Sequence, residues 1–401
     1  MLSGLWATAR RAARAIPAVE RYRLKRYSQM ISHAVGHPRP IIPRVIVPDI
    51  APTSEDEHLA ERLLNAYRLC KAEERGVAGP DVWSSIRNQQ DPFFEVLSDG
   101  QPRQLAAYLC NMSRLDATVG VTQGHFEYRR ILTSPEYQYL IALMIKDKLV
   151  SFAEATGALS PENPEQGPWG RSLHLETDSI VDLIETAIGQ SIRPPPIDGG
   201  LLKIESRGGL FHDRDVHAQY AAWSMKQIAG LGASICEIGG GVGRAAYWSC
   251  RFGLGNYSIL DLPHINVLQG FYLQKSLPGE HIVLFGEDGT QGKIRVLPYF
   301  VKETIPDDDF DLILNQDSLP EINASVALDY LRWIKKKSRK WFYSINQEAA
   351  ASYSQTWNSD VLEQRQNIVP RMVSHVGGYL RISRSLYWLR RGYTCEIYDV
   401  S

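Results

Sequence analysis

The chain has 401 residues, 44% of them hydrophobic and 22% charged, with a net charge of −1. That length suits about two or three domains of ordinary globular composition, and a near-neutral balance provides no global field toward nucleic acid or a membrane surface. The five cysteines, Cys70, Cys110, Cys236, Cys250 and Cys395, never form a C-x-x-C pair, which speaks against a metal cluster or disulfide framework and for a reducing compartment.

Residues 1–30 carry Arg10, Arg11, Arg14, Arg21, Arg23, Lys25 and Arg26 against the single acid Glu20, with Leu5, Trp6, Ala9, Ala12, Ala13 and Ile16 at helical spacing. An exposed basic helix packing on the body is expected; a membrane-surface helix or transit peptide is the other use of such a stretch. No run of about 18 apolar residues marks a membrane span. Prolines make 36–53 a connector. A helix is expected from Ser54, as N-cap, to about Arg75, with Leu59, Leu63, Leu64, Tyr67 and Cys70 on one face. Asp81 is set to cap a short helix through Trp83 and Ile86, and Gln104–Met112 and Pro135–Thr156 have helical periodicity. The first half therefore reads as mainly helical, without catalytic spacing.

A turn-rich loop, Asn163 to Gly170, precedes a helix from Thr177 to Ile188 and a second loop from Pro194 to Gly200. Arg214, His217 and Tyr220 sit on the helix that leads into Ser234-Ile235-Cys236-Glu237-Ile238-Gly239-Gly240-Gly241-Val242-Gly243-Arg244. This is a buried strand ending in an acid, a glycine turn and a helix start. Glycines there allow positive φ and close approach of a nucleotide-like ligand. A second strand, Asn256 to Asp261, ends in a carboxylate about 20 residues on, the distance at which an acid takes both hydroxyls of a ribose. Tyr299 or Phe300 is placed to stack on an adenine or to pack in the core. Asp309 to Leu314 is a third buried strand, followed by Asn315-Gln316-Asp317-Ser318-Leu319-Pro320-Glu321, a polar group at the edge where open α/β sheets bind ligands. Trp341 to Asn346, ending at Gln347-Glu348, is the next strand, and 384–400 read as two closing strands. The second half is an α/β unit.

Gly241 to Ala246 fits the dinucleotide pattern G-x-G-x-x-A, which leaves a nicotinamide-dependent oxidoreductase as the alternative enzyme. Glu237, two residues before the first glycine, resembles instead the opening motif of class I S-adenosylmethionine (SAM) methyltransferases; a carboxylate there suits an ammonium and repels a pyrophosphate. A non-catalytic scaffold with the same fold is the third reading, disfavoured because it has no need of the polar group after Leu314.

The second half resembles the sugar O-methyltransferase family, bacterial class I SAM enzymes, some of whose members methylate sugars on natural products. The residues that carry the likeness are Glu237 to Gly243, Asp261-Leu262-Pro263, Asn315 to Ile322, the Asn163 to Gly170 loop, and Arg214, His217 and Tyr220, over roughly residues 100–350. Ile322 departs from the Met expected there. The resemblance implies a Rossmann-like, seven-stranded, mainly parallel sheet in 201–401. Such a domain has no obvious substrate room of its own, so the helical region over 54–200 is expected to act as substrate lid or homodimer surface, while 1–53 is read from its composition as basic helix and connector, its first 30 residues having no counterpart in the family. The resemblance implies SAM held by Glu237, Gly239, Gly240, Gly241, Gly243 and Asp261, with Asn315 and Gln316 beside the reacting methyl. Asp317, His217 and Glu321, in that order, are the candidate general bases, with the capping of a following helix as the other use of Glu321; Arg214, Tyr220 and Glu348 are candidates for binding the acceptor. Asp317, Glu321 and Glu348 offer oxygens to a divalent metal such as magnesium, but spacing does not establish a site, and metal is not favoured. The expected partner is a small glycosidic or other hydroxylated acceptor, not nucleic acid, and the expected location is cytoplasmic.

Overall fold

The computed structural model describes residues 42–74, 82–122, 132–163, 165–167, 170–197, 199–287, 293–348, 353–357, 360–364 and 367–401. The basic stretch 1–30, the start of the proline-rich connector, Asp81, and Pro164, Pro168 and Trp169 of the turn-rich loop lie outside the described residues.

After a short strand β1 (Val45–Ile46), the first half is built from helices α1 (Ser54–Glu73), α2 (Val82–Arg87), α3 (Asp91–Asp99), α4 (Pro102–Cys110), α5 (Pro135–Ala155) and α6 (Thr177–Ile188). A hairpin, β2 (Lys203–Ser206) and β3 (Gly209–Phe211), pairs back onto β1. The second half alternates: α7 (Asp213–Ala229), β4 (Ile235–Ile238), α8 (Arg244–Arg251), β5 (Tyr257–Asp261), α9 (Pro263–Ser276), β6 (Ile282–Leu284), β7 (Ile294–Pro298), β8 (Phe310–Gln316), α10 (Ala324–Lys337) and β9 (Ser338–Gln347). A hairpin, β10 (Tyr353–Trp357) and β11 (Asp360–Gln364), then α11 (Val369–Val376), β12 (Leu380–Leu386) and β13 (Tyr393–Asp399) complete it.

The cap of α1 falls one residue earlier than expected. Thr53 Oγ1 accepts the Asp56 N–H at 3.3 Å, and Asp56 Oδ2 accepts the Thr53 N–H at 2.8 Å, a reciprocal box that satisfies two orphan donors. Leu59, Leu63, Leu64 and Cys70 are buried along the predicted face.

The main sheet runs β12-β13-β9-β8-β4-β5-β7-β6. All its pairs are parallel except those of β13, which is antiparallel to β9 and β12. It has eight strands where seven were expected, because β6 adds to the edge beside β7. The period-two alternation of buried strands divides the core. Ile235, Tyr257, Ile259, Leu312, Leu314 and Tyr343 join one cluster with α7 to α9 and the helical half. Cys236, Ile238, Leu260, Phe310, Ile313 and Phe342 face the other way, onto α10 and α11. The chain carries a Rossmann-like α/β fold, with α1 fastened to its edge.

That fastening rests on close approach and on two ion pairs, Arg62 with Glu287 and Lys275 of α9 with Asp56, the latter at 2.7 Å. Gly270 of α9 lets Leu63 seat against it, since a Cβ would lie 2.5 Å from Leu63 Cδ2. Beside it Arg62 grips Glu287 with Nε at 2.5 Å and a second nitrogen at 2.8 Å, and also donates to Gln274 Oε1 at 2.9 Å and the Ile282 carbonyl at 2.6 Å. Bidentate charge-assisted bonds of this kind outweigh simple surface pairs. Arg62→Ala is expected to cost about 1–3 kcal/mol, read as a lower Tm in thermal unfolding; an unchanged Tm contradicts the clamp.

Candidate functional site

The glycine turn follows β4, whose neighbours are β5 on one side and β8 on the other. The chain winds outward from β4 in both directions, so the carboxyl ends of these strands open a crevice at a topological switch point. There a single cleft is lined by Glu237, Gly239, Gly240, Gly241, Asp261, Gln316, Asp317, Glu321, Arg214 and His217. Ten of the candidate residues, drawn from four elements and the loops after them, thus meet in one place.

The glycine turn is tightly specified. Gly239 has φ 75°, and a Cβ on it would stand 2.4 Å from the Ser318 Cβ. Ser318 Oγ donates to the Ile238 carbonyl at 2.8 Å, which ties the turn to the loop after β8. Gly240 N–H donates to Asp261 Oδ2 at 2.9 Å. Gln269 of α9 donates to that same oxygen at 2.7 Å and to the Gly241 carbonyl at 3.0 Å. Glu237 is buried and accepts from the Tyr257 hydroxyl at 3.0 Å. Tyr257 and Gln269 escaped sequence reasoning; the available signal for Gln269 was a polar residue on the apolar face of α9.

Burial pushes both carboxyls up, Glu237 to about 7 and Asp261 to about 7. Both values lie above those of an unfolded chain, so the folded state holds protons that unfolding releases. The stability this provides is fully present near pH 4 and is lost as pH climbs toward about 7. Acids held low by partners, such as Asp56 and Glu287, act only at more acid pH. Buried neutral His212, His217 and His264 act in the opposite sense below about pH 6.5, so the carboxyl contribution is read as a difference between proteins. The Tm of ligand-free wild type is expected to lose ground relative to Glu237→Gln between about pH 5 and about pH 8, and a difference that stays constant over this range contradicts the assignment.

At the other end of the cleft the carboxylates have partners. Asp317, held at φ 69°, accepts from Arg390 at 2.7 Å and from the Tyr393 hydroxyl at 2.7 Å. The Arg390 guanidinium also lies over the Tyr393 ring, 4.2 Å from its centroid. Glu321 is pushed well above the ordinary carboxyl range, first by burial and then by the neighbouring Asp317, although Arg390, Arg214 and a hydrogen bond from Trp83 act the other way. The cap of α10 is Asn323, whose side chain accepts the Ser325 N–H, so Glu321 does not cap that helix. His217 Nδ1 lies 2.9 Å from the Tyr387 hydroxyl, and burial, with Lys148 next among the causes, keeps the ring neutral. The helical half also lines the cleft, with Trp83, Gly120, Val121 and Thr122.

Four candidates fall elsewhere. Asn315 was expected beside a reacting methyl, but it is fully buried in β8. Its Nδ2 donates to the Ile238 carbonyl at 3.0 Å and its Oδ1 accepts from Asn346 at 3.0 Å, so it stitches strands together. Gly243, at φ 93°, starts α8 and backs onto Leu273, outside the lining. Tyr220 packs among Phe152, Trp223 and Tyr387. Glu348 turns away to Arg384, which donates to both its oxygens at 2.7 and 2.9 Å, and to Thr394 at 2.7 Å. Of the two aromatics considered for an adenine, Tyr299 lines the cleft and Phe300 packs on Phe285. Among the described residues no group of three His, Cys, Asp or Glu side chains is placed to hold a metal, and no helix is long and apolar enough to cross a membrane.

No family model matches this chain, and no curated protein matches it. Among solved structures, the Burkholderia thailandensis 1,6-didemethyltoxoflavin-N1-methyltransferase with bound 1,6-didemethyltoxoflavin and S-adenosylhomocysteine is 16% identical, covering 45% of this chain and 77% of that one at a TM-score of 0.32. Magnesium protoporphyrin IX methyltransferase from Synechocystis PCC 6803 with bound SAM is 13% identical over 47% of this chain and 80% of its own, TM-score 0.33. A glycopeptide N-methyltransferase complexed with sinefungin is 10% identical over 45% and 85%, TM-score 0.33. At such identities and scores the likeness decides neither substrate nor chemistry.

Proposed function

We propose that this chain is a SAM-dependent O-methyltransferase whose acceptor is a hydroxyl of a sugar or glycosylated natural product. The observation that carries the reading is the pair of carboxyls, buried Glu237 and half-buried Asp261, set around a glycine turn at the switch point of the sheet. A ligand with an ammonium and a ribose matches that set of acceptors, whereas a pyrophosphate would have to approach two acids. Asp261 is assigned to the ribose hydroxyls, Glu237 and the Gly239–Gly241 backbone to the amino acid part, and Tyr299 to the base.

When bound, SAM supplies a methyl group on a sulfonium, open to in-line attack by a hydroxyl. The chain's part is to align that hydroxyl, exclude water and take its proton. Asp317 was the leading base from sequence, yet its charge is committed to Arg390 and Tyr393. His217 resists protonation. Glu321 lines the cleft, and burial beside Asp317 raises its affinity for a proton above that of an ordinary carboxyl, so it takes first place as general base, with Asp317 and Arg390 setting its charge environment. The helical region 54–200 serves as lid, with Val121 set against Gly241 of the glycine turn and Trp83 beside Glu321.

Calorimetric titration with SAM, S-adenosylhomocysteine and NAD, followed by transfer of labelled methyl to a panel of glycosides with and without magnesium, tests this. Binding of the sulfur ligands but not NAD, with label appearing on a glycoside, is the expected result. Binding of NAD alone overturns it in favour of an oxidoreductase, and label on a nitrogen overturns the O-methyl assignment.

A further inference from the structure

Three cations surround the end of the cleft where His217 sits: Lys148, Arg214 and Arg390 all disfavour its protonation. Two of them are matched by a carboxylate in contact. Lys148 Nζ is 2.8 Å from Asp213 Oδ2, and Arg390 is 2.7 Å from Asp317 Oδ2. A fourth cation, Arg244, is likewise held by Asp215 at 3.0 Å. Arg214 differs. Its backbone N–H donates to His212 Nδ1 at 3.2 Å in the first turn of α7, and its side chain lines the cleft. Among the described residues no carboxylate forms an ion pair with it; Asp213 and Glu321 act on it only at longer range.

Charge on this wall is therefore unbalanced. Asp213 and Asp317 are matched by their partners, and Glu321, half-buried beside Asp317, favours its neutral form. A guanidinium does not lose its proton in a protein and presents planar paired donors that fit a carboxylate bidentately. We propose that Arg214 is a carboxylate-recognition subsite, taking the acid group of a molecule bound in the cleft. This rests on the methyltransferase reading and deepens it. Two molecules there can carry such a group: the amino acid end of the cofactor, or an acidic acceptor such as a uronic acid sugar.

The test compares wild type, Arg214→Gln and Arg214→Lys by calorimetry. S-adenosylhomocysteine is titrated against methylthioadenosine, which keeps the nucleoside and thioether but lacks the amino acid end. Protein saturated with S-adenosylhomocysteine is then titrated with glucuronate and with glucose. If the guanidinium serves the cofactor, Arg214→Gln weakens S-adenosylhomocysteine roughly 10- to 100-fold and leaves methylthioadenosine unchanged. If it serves the acceptor, the homocysteine ligand is unaffected, wild type prefers glucuronate to glucose, and Arg214→Gln abolishes the preference. Arg214→Lys, with its charge but not its fork, is expected to fall between in either case, and decides the matter should Arg214→Gln fold poorly. Equal loss of both nucleosides, or no change with any of the four ligands, overturns the subsite. Wild-type protein that binds neither nucleoside overturns the methyltransferase reading instead.

Discussion

Asp261→Ala is expected to weaken S-adenosylhomocysteine binding by roughly 100-fold or more, the effect of losing two charge-assisted hydrogen bonds to a ribose. The loss has a second source within the protein. Asp261 Oδ2 is where the Gly240 N–H and the Gln269 amide converge, and its Oδ1 accepts the Leu262 N–H at 2.8 Å. Without it the glycine turn has lost its anchor to β5, and the backbone that meets the ligand is no longer fixed before binding. Asp261→Asn separates the two effects. It keeps one acceptor for Gly240 while giving up the charge, so it should bind more tightly than the alanine variant and less tightly than wild type. Calorimetry on the three proteins at one pH reads this directly. Equal affinity in all three contradicts the ribose assignment.

The cleft was legible in sequence where chemistry follows directly from a strand end. Gly239 lies just past β4 and Asp261 is the last residue of β5, so the backbone can send them nowhere but the carboxyl edge of the sheet, whereas Glu237 is still paired within β4 and reaches the cleft by its side chain. Asn315 shows the limit of that rule. It is still a paired residue of β8, in register with Ile238 and Ser344, so its amide bridges strands, and the exposed polar run begins only at Gln316. Glu348 shows another limit. Its partner Arg384 belongs to β12, a strand whose place depends on β13 turning antiparallel at the far side of β9, and no local spacing encodes that. The same holds for Asp317, whose Arg390 partner lies 73 residues away. Long helices were legible by their periodicity, as over Pro135–Thr156, whereas α3, α11 and the β2–β3 hairpin are too short for a periodicity to stand out.

Under the methyltransferase reading, Glu321→Gln is expected to reduce kcat by roughly 100- to 10,000-fold, the range for removing a positioned general base, with SAM affinity near that of wild type because the reading assigns the cofactor to Glu237 and Asp261. The pH profile of the wild type separates Glu321 from its rivals. A base works in its deprotonated form, and the folded-state pKa of Glu321 is raised, so activity should climb with pH through a midpoint above the ordinary carboxyl range. Neutral His217, its pKa driven well down, is already a free base throughout that interval and produces no such limb. The neighbours then move the limb in opposite directions. Asp317 raises the Glu321 pKa, so Asp317→Asn should shift the limb to lower pH; Arg390 lowers it, so Arg390→Met should shift the limb to higher pH. Arg390→Met also strips Asp317 of its counterion inside the protein, which is expected to cost about 3–5 kcal/mol of stability, so its profile is to be read at a temperature where the variant is folded. Initial rates across pH for wild type and the two neighbour variants check the assignment. A limb that stays fixed in both variants takes the proton away from Glu321, and a profile flat from mildly acid to neutral pH returns it to His217.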